Sequence, residues 1–355
     1  MKILHCSDIH LDSSMERNLS AAQARERNAE VCATFARLAA FAAEQQVTAV
    51  LIAGDLFDTQ RVTAQTAGFV LDTVRSVPDV DFLYLRGNHD ETGFEGMDLP
   101  KNLKTFGPDW TFHRYDNVVI AGMDVERGNW ETIYDSLMLP ENTVNIVTLH
   151  GQVSTQPGEE LIALPKLKRK NIDYLALGHI HACQTGKLDE RGTWCYCGCL
   201  EGRGFDELGP KGFVLLNAEE NGVTTEFVPF ARRTLEEVPV DISDLTTVSQ
   251  ILTAVQSAVQ GIRADSLVKI TLTGTYTLET QKDLNFLKKM MDGRFWFLKI
   301  KDESRLKIEK ETYEHDISLK GEFIRLVMAS DKSEEEKEQI ICYGIRALSG
   351  EEVEQ

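Results

Sequence analysis

Five short stretches gather residue types that bind divalent metals: Ser7-Asp8-Ile9-His10, Gly54-Asp55-Leu56-Phe57-Asp58, Gly87-Asn88-His89-Asp90, Leu149-His150-Gly151 and Gly178-His179-Ile180-His181. Asp8, His10, Asp55, Asn88, His150, His179 and His181 supply seven donors, the number that two ions need when one carboxylate bridges them. Paired divalent metals about 3.5 to 4 Å apart acidify a bound water and clamp the attacking and leaving oxygens of a phosphoester. Imidazole mixed with carboxylate and amide oxygen suits Mn, with Fe or Zn as alternatives, better than Ca or Mg, which take oxygen almost exclusively. Taken singly, Asp-x-His reads as an ordinary loop and Gly-Asn-His-Asp as a simple turn. Their coincidence is the signal, because five of the eight histidines fall in these stretches.

Each stretch follows a short run rich in Val, Ile and Leu: Lys2 to Cys6, Val47 to Ala53, Val80 to Leu85, Val144 to Leu149 and Ile172 to Leu177. Such runs, bounded by turn residues, read as buried strands. In layered α/β folds, ligands lie beyond the carboxyl ends of the strands, so five strands would deliver all five stretches to one edge. Helical spacing of Val31, Phe35, Leu38 and Ala42 places a helix in Ala21 to Gln46, and Ala67, Val70, Leu71 and Val74 place another in Thr63 to Ser76. The resulting βαβαβ order implies parallel strands with right-handed crossovers.

Glu91 to Asn117 is looser and reads as a loop on the substrate side, followed by short strands at Thr111 to Arg114 and Val118 to Met123. Gly158 to Lys170 carries Lys166, Lys168, Arg169 and Lys170, which read as a solvated helix face. Thr193 to Tyr196, Gly212 to Asn217 and Thr224 to Val228 suggest antiparallel strands that close a two-sheet sandwich. After Arg232 the pattern changes. Strands at Val238 to Ile242, Leu267 to Thr273 and Phe295 to Ile300 alternate with helices at Leu245 to Val259 and Leu278 to Met291. Two further helices, Ile317 to Met328 and Glu334 to Leu348, follow Tyr313. The expected division is a catalytic domain over 1–232, an α/β capping domain over 233–312 and a helical tail over 313–355. In the tail, Leu319, Phe323, Leu326 and Val327 would share one buried face, and Ile341, Ile345 and Leu348 another.

A chain of 355 residues can bury more than one core. No apolar run approaches the roughly 20 residues of a membrane helix, and the N-terminus shows no signal-peptide pattern, so the expectation is a cytoplasmic protein away from membranes. Seven scattered cysteines do not make a disulfide framework. Cys195, Cys197 and Cys199 alternate and would face one way on a strand, but nothing nearby completes a third metal site. The net charge of -18 argues against strong solitary binding to nucleic acid, though bound cations or a local basic patch would reverse it where needed.

The order Asp-x-His, Gly-Asp-x-x-Asp, Gly-Asn-His-Asp, His-Gly and Gly-His-x-His resembles the calcineurin-like metallophosphoesterase superfamily over roughly residues 1 to 230. Within it, Ile3 to Leu11, Gly54 to Asp58 and Gly178 to His181 look most like the DNA-repair nucleases of the SbcD and YhaO kind. The resemblance implies an α/β metallophosphoesterase sandwich of four layers, α/β/β/α, and a nuclease working on DNA beside an SMC-like coiled-coil ATPase, with room for a homodimer. It also implies that Asp8, His10, Asp55 and His181 hold one metal and Asp55, Asn88, His150 and His179 the other, with Asp55 bridging. His89 follows a ligand without being one, which makes it the candidate to protonate the leaving oxygen, oriented by Asp58. The alternative for Asp58 is a cap on the helix near Thr63. Gly198 to Glu207 resembles the glycine-rich turn of the same relatives, where Arg203 would meet a substrate phosphate or pair with Asp206 or Glu207.

Two rivals share these residues: a phosphoesterase for small molecules or phosphoproteins, and a scaffold of the same fold without catalysis. The region after residue 232 favours the DNA nuclease, since a small phosphatase has no use for a cap and tail. The complete donor set speaks against the scaffold.

Overall fold

The computed structural model describes residues 1–15, 19–58, 62–90, 93–94, 96–124, 130, 133–220, 222–308 and 313–348, without the side chains of Glu334 and Arg346. Glu91, at the start of the expected substrate-side loop, and residues 349–355 of the tail lie outside them. The chain divides into Met1–Thr234 and Leu235–Gln355, each with its own core.

In the first unit, β1 (Lys2–Cys6), α1 (Ala21–Glu44), β2 (Ala49–Ala53), α2 (Ala64–Arg75), β3 (Asp81–Leu85) and β4 (Leu103–Thr105) alternate as parallel strands and helices. There follow β5 (Thr111–Tyr115), β6 (Val118–Gly122), α3 (Ile133–Ser136), β7 (Val144–His150), β8 (Gln152–Ser154), β9 (Leu161–Ala163), α4 (Leu164–Leu167) and β10 (Tyr174–Gly178). The unit closes with β11 (Gln184–Lys187), β12 (Thr193–Tyr196), β13 (Gly212–Glu219) and β14 (Gly222–Pro229). Two sheets result, ordered β14-β13-β1-β2-β3-β4 and β11-β12-β10-β7-β6-β5. β12 runs parallel to β10, not antiparallel as its alternation suggested, because the β11–β12 hairpin enters from the edge and only β11 is reversed.

The apolar runs are continuous because both faces of each strand are covered. Period-two alternation still sorts them. Leu4, Val50, Ile52 and Phe82 point out to Val31, Phe35 and Leu38 of α1 and to Val70, Leu71 and Val74 of α2. Ile3, Leu51 and Leu83 point in and meet Ile120, Ile146, Tyr174 and Ala176 of the second sheet. On its far face, Val147, Leu149, Leu175 and Leu177 are covered by Ile133, Tyr134 and Leu167. These three cores separate four layers, α/β/β/α. Ser20 caps α1 in a capping box with Gln23, and Thr63 caps α2, each worth about 1 kcal/mol.

The second unit comprises β15 (Leu235–Asp241), α5 (Val248–Ala258), β16 (Leu267–Thr273), β17 (Thr275–Tyr276), α6 (Leu284–Met290), β18 (Phe297–Asp302), β19 (Arg305–Leu306), α7 (Leu319–Met328) and α8 (Glu334–Leu348). β15, β16 and β18 pair in parallel over a core of Ile251, Val255, Ile270, Leu272 and Leu287. α6 starts six residues later than its apolar pattern suggested, since Asp283 accepts from Phe286 N and caps it there. In the tail, Ile324, Val327 and Ile341 are buried with Leu306 and Tyr313. Leu319 and Leu326, expected inside, are 69% and 67% exposed, because the buried stripe of α7 is centred on Ile324 and Val327.

The expected helix under the basic run is also shorter. α4 ends at Leu167, and Lys168 to Asn171 form a turn ahead of β10.

Candidate metal centre

β1, β2, β3, β7 and β10 end beside one another, and the loops they release carry the seven donors. The loops are laced together by backbone. Asp8 N donates to Gly54 O at 3.0 Å, and Ile9 N and His10 N donate to Asp55 O at 2.8 and 3.0 Å. Asp8, His10, Asp55 and His179 all have positive φ, at 50°, 52°, 53° and 101°. A non-glycine residue there is strained, and such strain persists where surrounding structure enforces it, commonly at functional sites. Gly54, at φ 93°, has no such penalty, and any side chain at this position would run into the His150 ring.

Two groups of side chains meet at Asp55. On one side His10 Nε2 and His181 Nε2 face each other at 3.1 Å, with Asp8 Oδ1 3.5 Å from His181 Nε2 and 3.9 Å from His10 Nε2. On the other, Asn88 Oδ1 lies 2.9 Å from His150 Nε2 and 3.2 Å from His179 Nδ1. Asp55 Oδ2 stands between them, 3.8 Å from His10 Nε2 and 3.3 Å from His150 Nε2. Its other oxygen accepts from His89 N at 2.9 Å, which fixes the loop carrying Asn88.

The donors fit a pair of cations. Asp8 and Asp55 are nearly completely buried, yet both carboxyls stay below their ordinary range. Burial alone would raise Asp8, but the hydrogen bond to His181 and the charges of His150, His181 and His10 outweigh it. Burial would likewise lower His150, and Asp55 instead raises it to about 9. The two facing Nε2 atoms of His10 and His181 share room for at most one proton between them. Cations placed among these oxygens and nitrogens would satisfy the lone pairs that the histidine protons now satisfy.

The far nitrogens of the histidines are held from behind, the arrangement that orients metal-binding imidazoles. His150 Nδ1–H donates to Ala53 O at 2.9 Å, which leaves Nε2 for the site. His181 Nδ1 lies 2.7 Å from Glu207 Oε1, and Lys211 Nζ donates to the His181 carbonyl at 2.6 Å. His10 Nδ1 is 3.1 Å from Asp58 Oδ1. Against burial, Asp8 and Glu207 together raise His181 to about 9, while Glu207 is held at about 2 by His181 and Arg203.

His89 lies beside this cluster with its side chain 48% exposed. Asp58 Oδ1 is 3.1 Å from its Nδ1, and this interaction raises the His89 pKa. Asp58 does not cap α2, where Thr63 takes that place. Arg203 is engaged within the protein: Nη1 is 3.3 Å from Asp58 Oδ2 and Nη2 is 3.2 Å from Glu207 Oε1. Its donors are largely spent on carboxylates that themselves hold His89, His10 and His181.

Two residues in the quoted stretches have larger parts than their spacing disclosed. Asp90 accepts from Leu56 N, Phe57 N and Gly87 N at 3.2, 2.8 and 2.9 Å, tying the second and third stretches together. Burial raises it to about 6 despite those bonds. Glu207 is the other, and its signal was its place at the end of the glycine-rich run. The alternating cysteines do not form a cluster of their own. Cys195 and Cys197 lie in the inter-sheet core, with Cys197 Sγ 3.1 Å from Ser7 Oγ, and Cys199 adjoins His181 and Glu207. His5 is a buried core residue 3.0 Å from Tyr174 Oη.

Among known proteins, the chain is similar to the DNA double-strand break repair protein Mre11 of Haloferax volcanii, 28% identical over 248 residues, which cover 67% of this chain and 53% of that protein. It therefore spans about half the length of that relative. The uncharacterized metallophosphoesterase YhaO of Bacillus subtilis is 24% identical over 341 residues, covering 86% and 82%. The Mre11 of Saccharolobus solfataricus is 23% identical over 383 residues, covering 99% and 96%. Residues 1–183, more than half of the chain, match the calcineurin-like phosphoesterase family, and they contain all the donor stretches. The chain belongs to that family of metal-dependent phosphoester hydrolases, which use a dinuclear centre.

Proposed function

We propose that this protein is a two-metal DNA nuclease that works as the nuclease subunit beside an SMC-like coiled-coil ATPase. The observation that carries the reading is the meeting of seven donors at Asp55, four of them on strained turns, within a chain similar over most of its length to Mre11 of S. solfataricus. Asp8, His10, Asp55 and His181 are assigned to one cation, and Asp55, Asn88, His150 and His179 to the other. Their mixed nitrogen and oxygen chemistry favours Mn²⁺. When bound, the pair supplies an activated water and neutralises charge on the phosphoryl oxygens.

The chain's own residues do the rest. His89 donates a proton to the departing oxygen, and Asp58 turns the ring and favours its protonated form. Arg203 keeps Asp58 and Glu207 in place. Asp90 keeps the Asp55 and Asn88 loops in register.

For the ATPase, the surface offered is the outer side of α7, where Leu319 and Leu326 are exposed beside the fully exposed Ile317. Apolar residues at this spacing suit a groove on a partner helix. The acidic side chains of Asp331, Glu335 and Glu336 would steer a basic rim onto it.

The test is hydrolysis of labelled duplex and single-stranded DNA beside a chromogenic phosphodiester, by protein stripped with chelator and restored with Mn²⁺. DNA cleavage is expected to return with Mn²⁺ and to fall with salt more steeply than cleavage of the small diester, since only the polymer releases many counterions. Equal salt sensitivity for both substrates would count against DNA as the substrate.

A further inference from the structure

The second sheet has a charged feature at the end away from the metal centre. A surface cavity of about 680 Å³ is lined by Lys168, Arg169, Asn171, Lys187, Leu188, Asp189, Glu190 and Arg191. Register places it. Lys187 pairs with Thr193, which pairs with Tyr174 at the start of β10, whereas His179 and His181 follow the end of β10. β11 joins the two ends along the edge of the sheet.

The lining carries four cations, Lys168, Arg169, Lys187 and Arg191, against two carboxylates, Asp189 and Glu190, in a chain of net charge -18. Arg191 is spent on Asp173, at 2.8 Å, and on two backbone carbonyls. Asp189 is spent on three backbone N–H groups, those of Arg169, Arg191 and Gly192. No carboxylate among the described residues forms an ion pair with Lys168, Lys187 or the Arg169 guanidinium, and all three side chains are exposed. Asp189 keeps its negative charge and acts on Lys187 through space, so that with Glu190 it offsets part, not all, of the positive charge of the lining.

The turn that presents them is rigid. Arg169 and Asn171 have φ of 61° and 60°, a strained region that the surroundings must enforce. Asp189 accepts from Arg169 N at 2.7 Å, and the buried Asn145 donates to Asn171 O at 2.7 Å.

We infer that this cavity holds the phosphate backbone of the nucleic-acid substrate where it leaves the metal centre along β11. The inference rests on the DNA reading proposed above. β11 has four residues, so its two ends lie about 10 Å apart along the strand. The exposed Lys168, Arg169 and Lys187 at the far end meet the backbone there without reading base sequence.

The test replaces Lys168, Arg169 and Lys187 together by Glu, with a second variant carrying Gln at all three. DNA affinity is measured by anisotropy across a salt series with a 20-base-pair duplex, and turnover with a chromogenic phosphodiester. The expected result is a loss of about ten- to a hundredfold in DNA affinity, with a salt slope shallower by about two to three and small-diester turnover within about twofold of the parent. The Gln variant should lose affinity in the same direction with the same fall in slope. A parent that binds DNA while both variants bind it equally well, with an unchanged slope, overturns this inference and leaves the nuclease reading standing. A parent that neither binds nor cleaves DNA removes both.

Discussion

The two units of the chain use buried polarity in opposite ways. Met1–Thr234 buries charge: Asp8, His10, Asp55, Asp90, His150, Arg27 and Glu201 are all in its interior. In Leu235–Gln355 the buried polar residues among those described are the neutral Ser266 and Thr271. Backbone strain divides the same way. Left-handed residues in the second unit are glycines and Asp244, while the first holds four of its candidate ligands in that conformation. Buried charge and strained turns cost stability, and a fold retains them where function requires them. The contrast predicts that mutations in the first unit will act on chemistry and those in the second on stability or association.

The largest expected effects fall at the centre itself. Asp55→Ala should lose bound metal and reduce turnover of a chromogenic phosphodiester to background, because both groups of donors meet at this side chain. His89→Ala should lower turnover about 10²- to 10⁴-fold while metal content, measured by plasma mass spectrometry, stays at the parent level. Loss of metal in the His89 variant would move it into the donor set and break the assignment.

Next in size is Ile341→Ala in the second unit. Removing this fully buried side chain from the cluster with Ile324 and Val327 should cost about 2–5 kcal/mol, read by denaturant unfolding. Small-diester turnover per folded molecule should not change. If turnover falls with stability unaltered, the division of labour between the units fails.

Glu207→Gln should weaken metal affinity about 10- to 100-fold by titration calorimetry, as expected when the carboxylate behind a metal-binding histidine is neutralised. An unchanged affinity would reduce Glu207 to an anchor for Arg203.

The smallest effect is a shift in a pH profile. Asp58 raises the pKa of His89, and the proton donor is the protonated ring, so activity persists up to that raised pKa and is lost above it. Asp58→Asn should therefore move the alkaline limb of kcat to lower pH. A limb that stays in place would mean that a group other than His89 titrates there.

The gathering of the candidate donors at one strand edge was legible in the linear chain because its information is local. A strand of Val, Ile and Leu ending in Asp-x-His or Gly-Asn-His-Asp carries its own period, its own terminator and its own donors within ten residues. The same holds for α1 and α2, whose apolar residues recur at helical spacing within each segment. Where periodicity was ambiguous, boundaries slipped, as at α6 and at the basic turn after Leu167.

What tertiary structure alone decided are pairings between residues far apart in sequence. Asp90 reaches back 34 residues to Leu56 N, and Glu207 reaches 26 residues to His181. Arg203 spans 145 residues to Asp58, which settles what its guanidinium touches. The direction of β12 depended on which edge its hairpin joined, and the outward turn of Leu319 and Leu326 on where Leu306, Tyr313 and Ile341 stood. Spacing along a chain states which residues share a face. Only the packed fold states what that face meets, because burial and ion pairing depend on neighbours that local sequence does not contain.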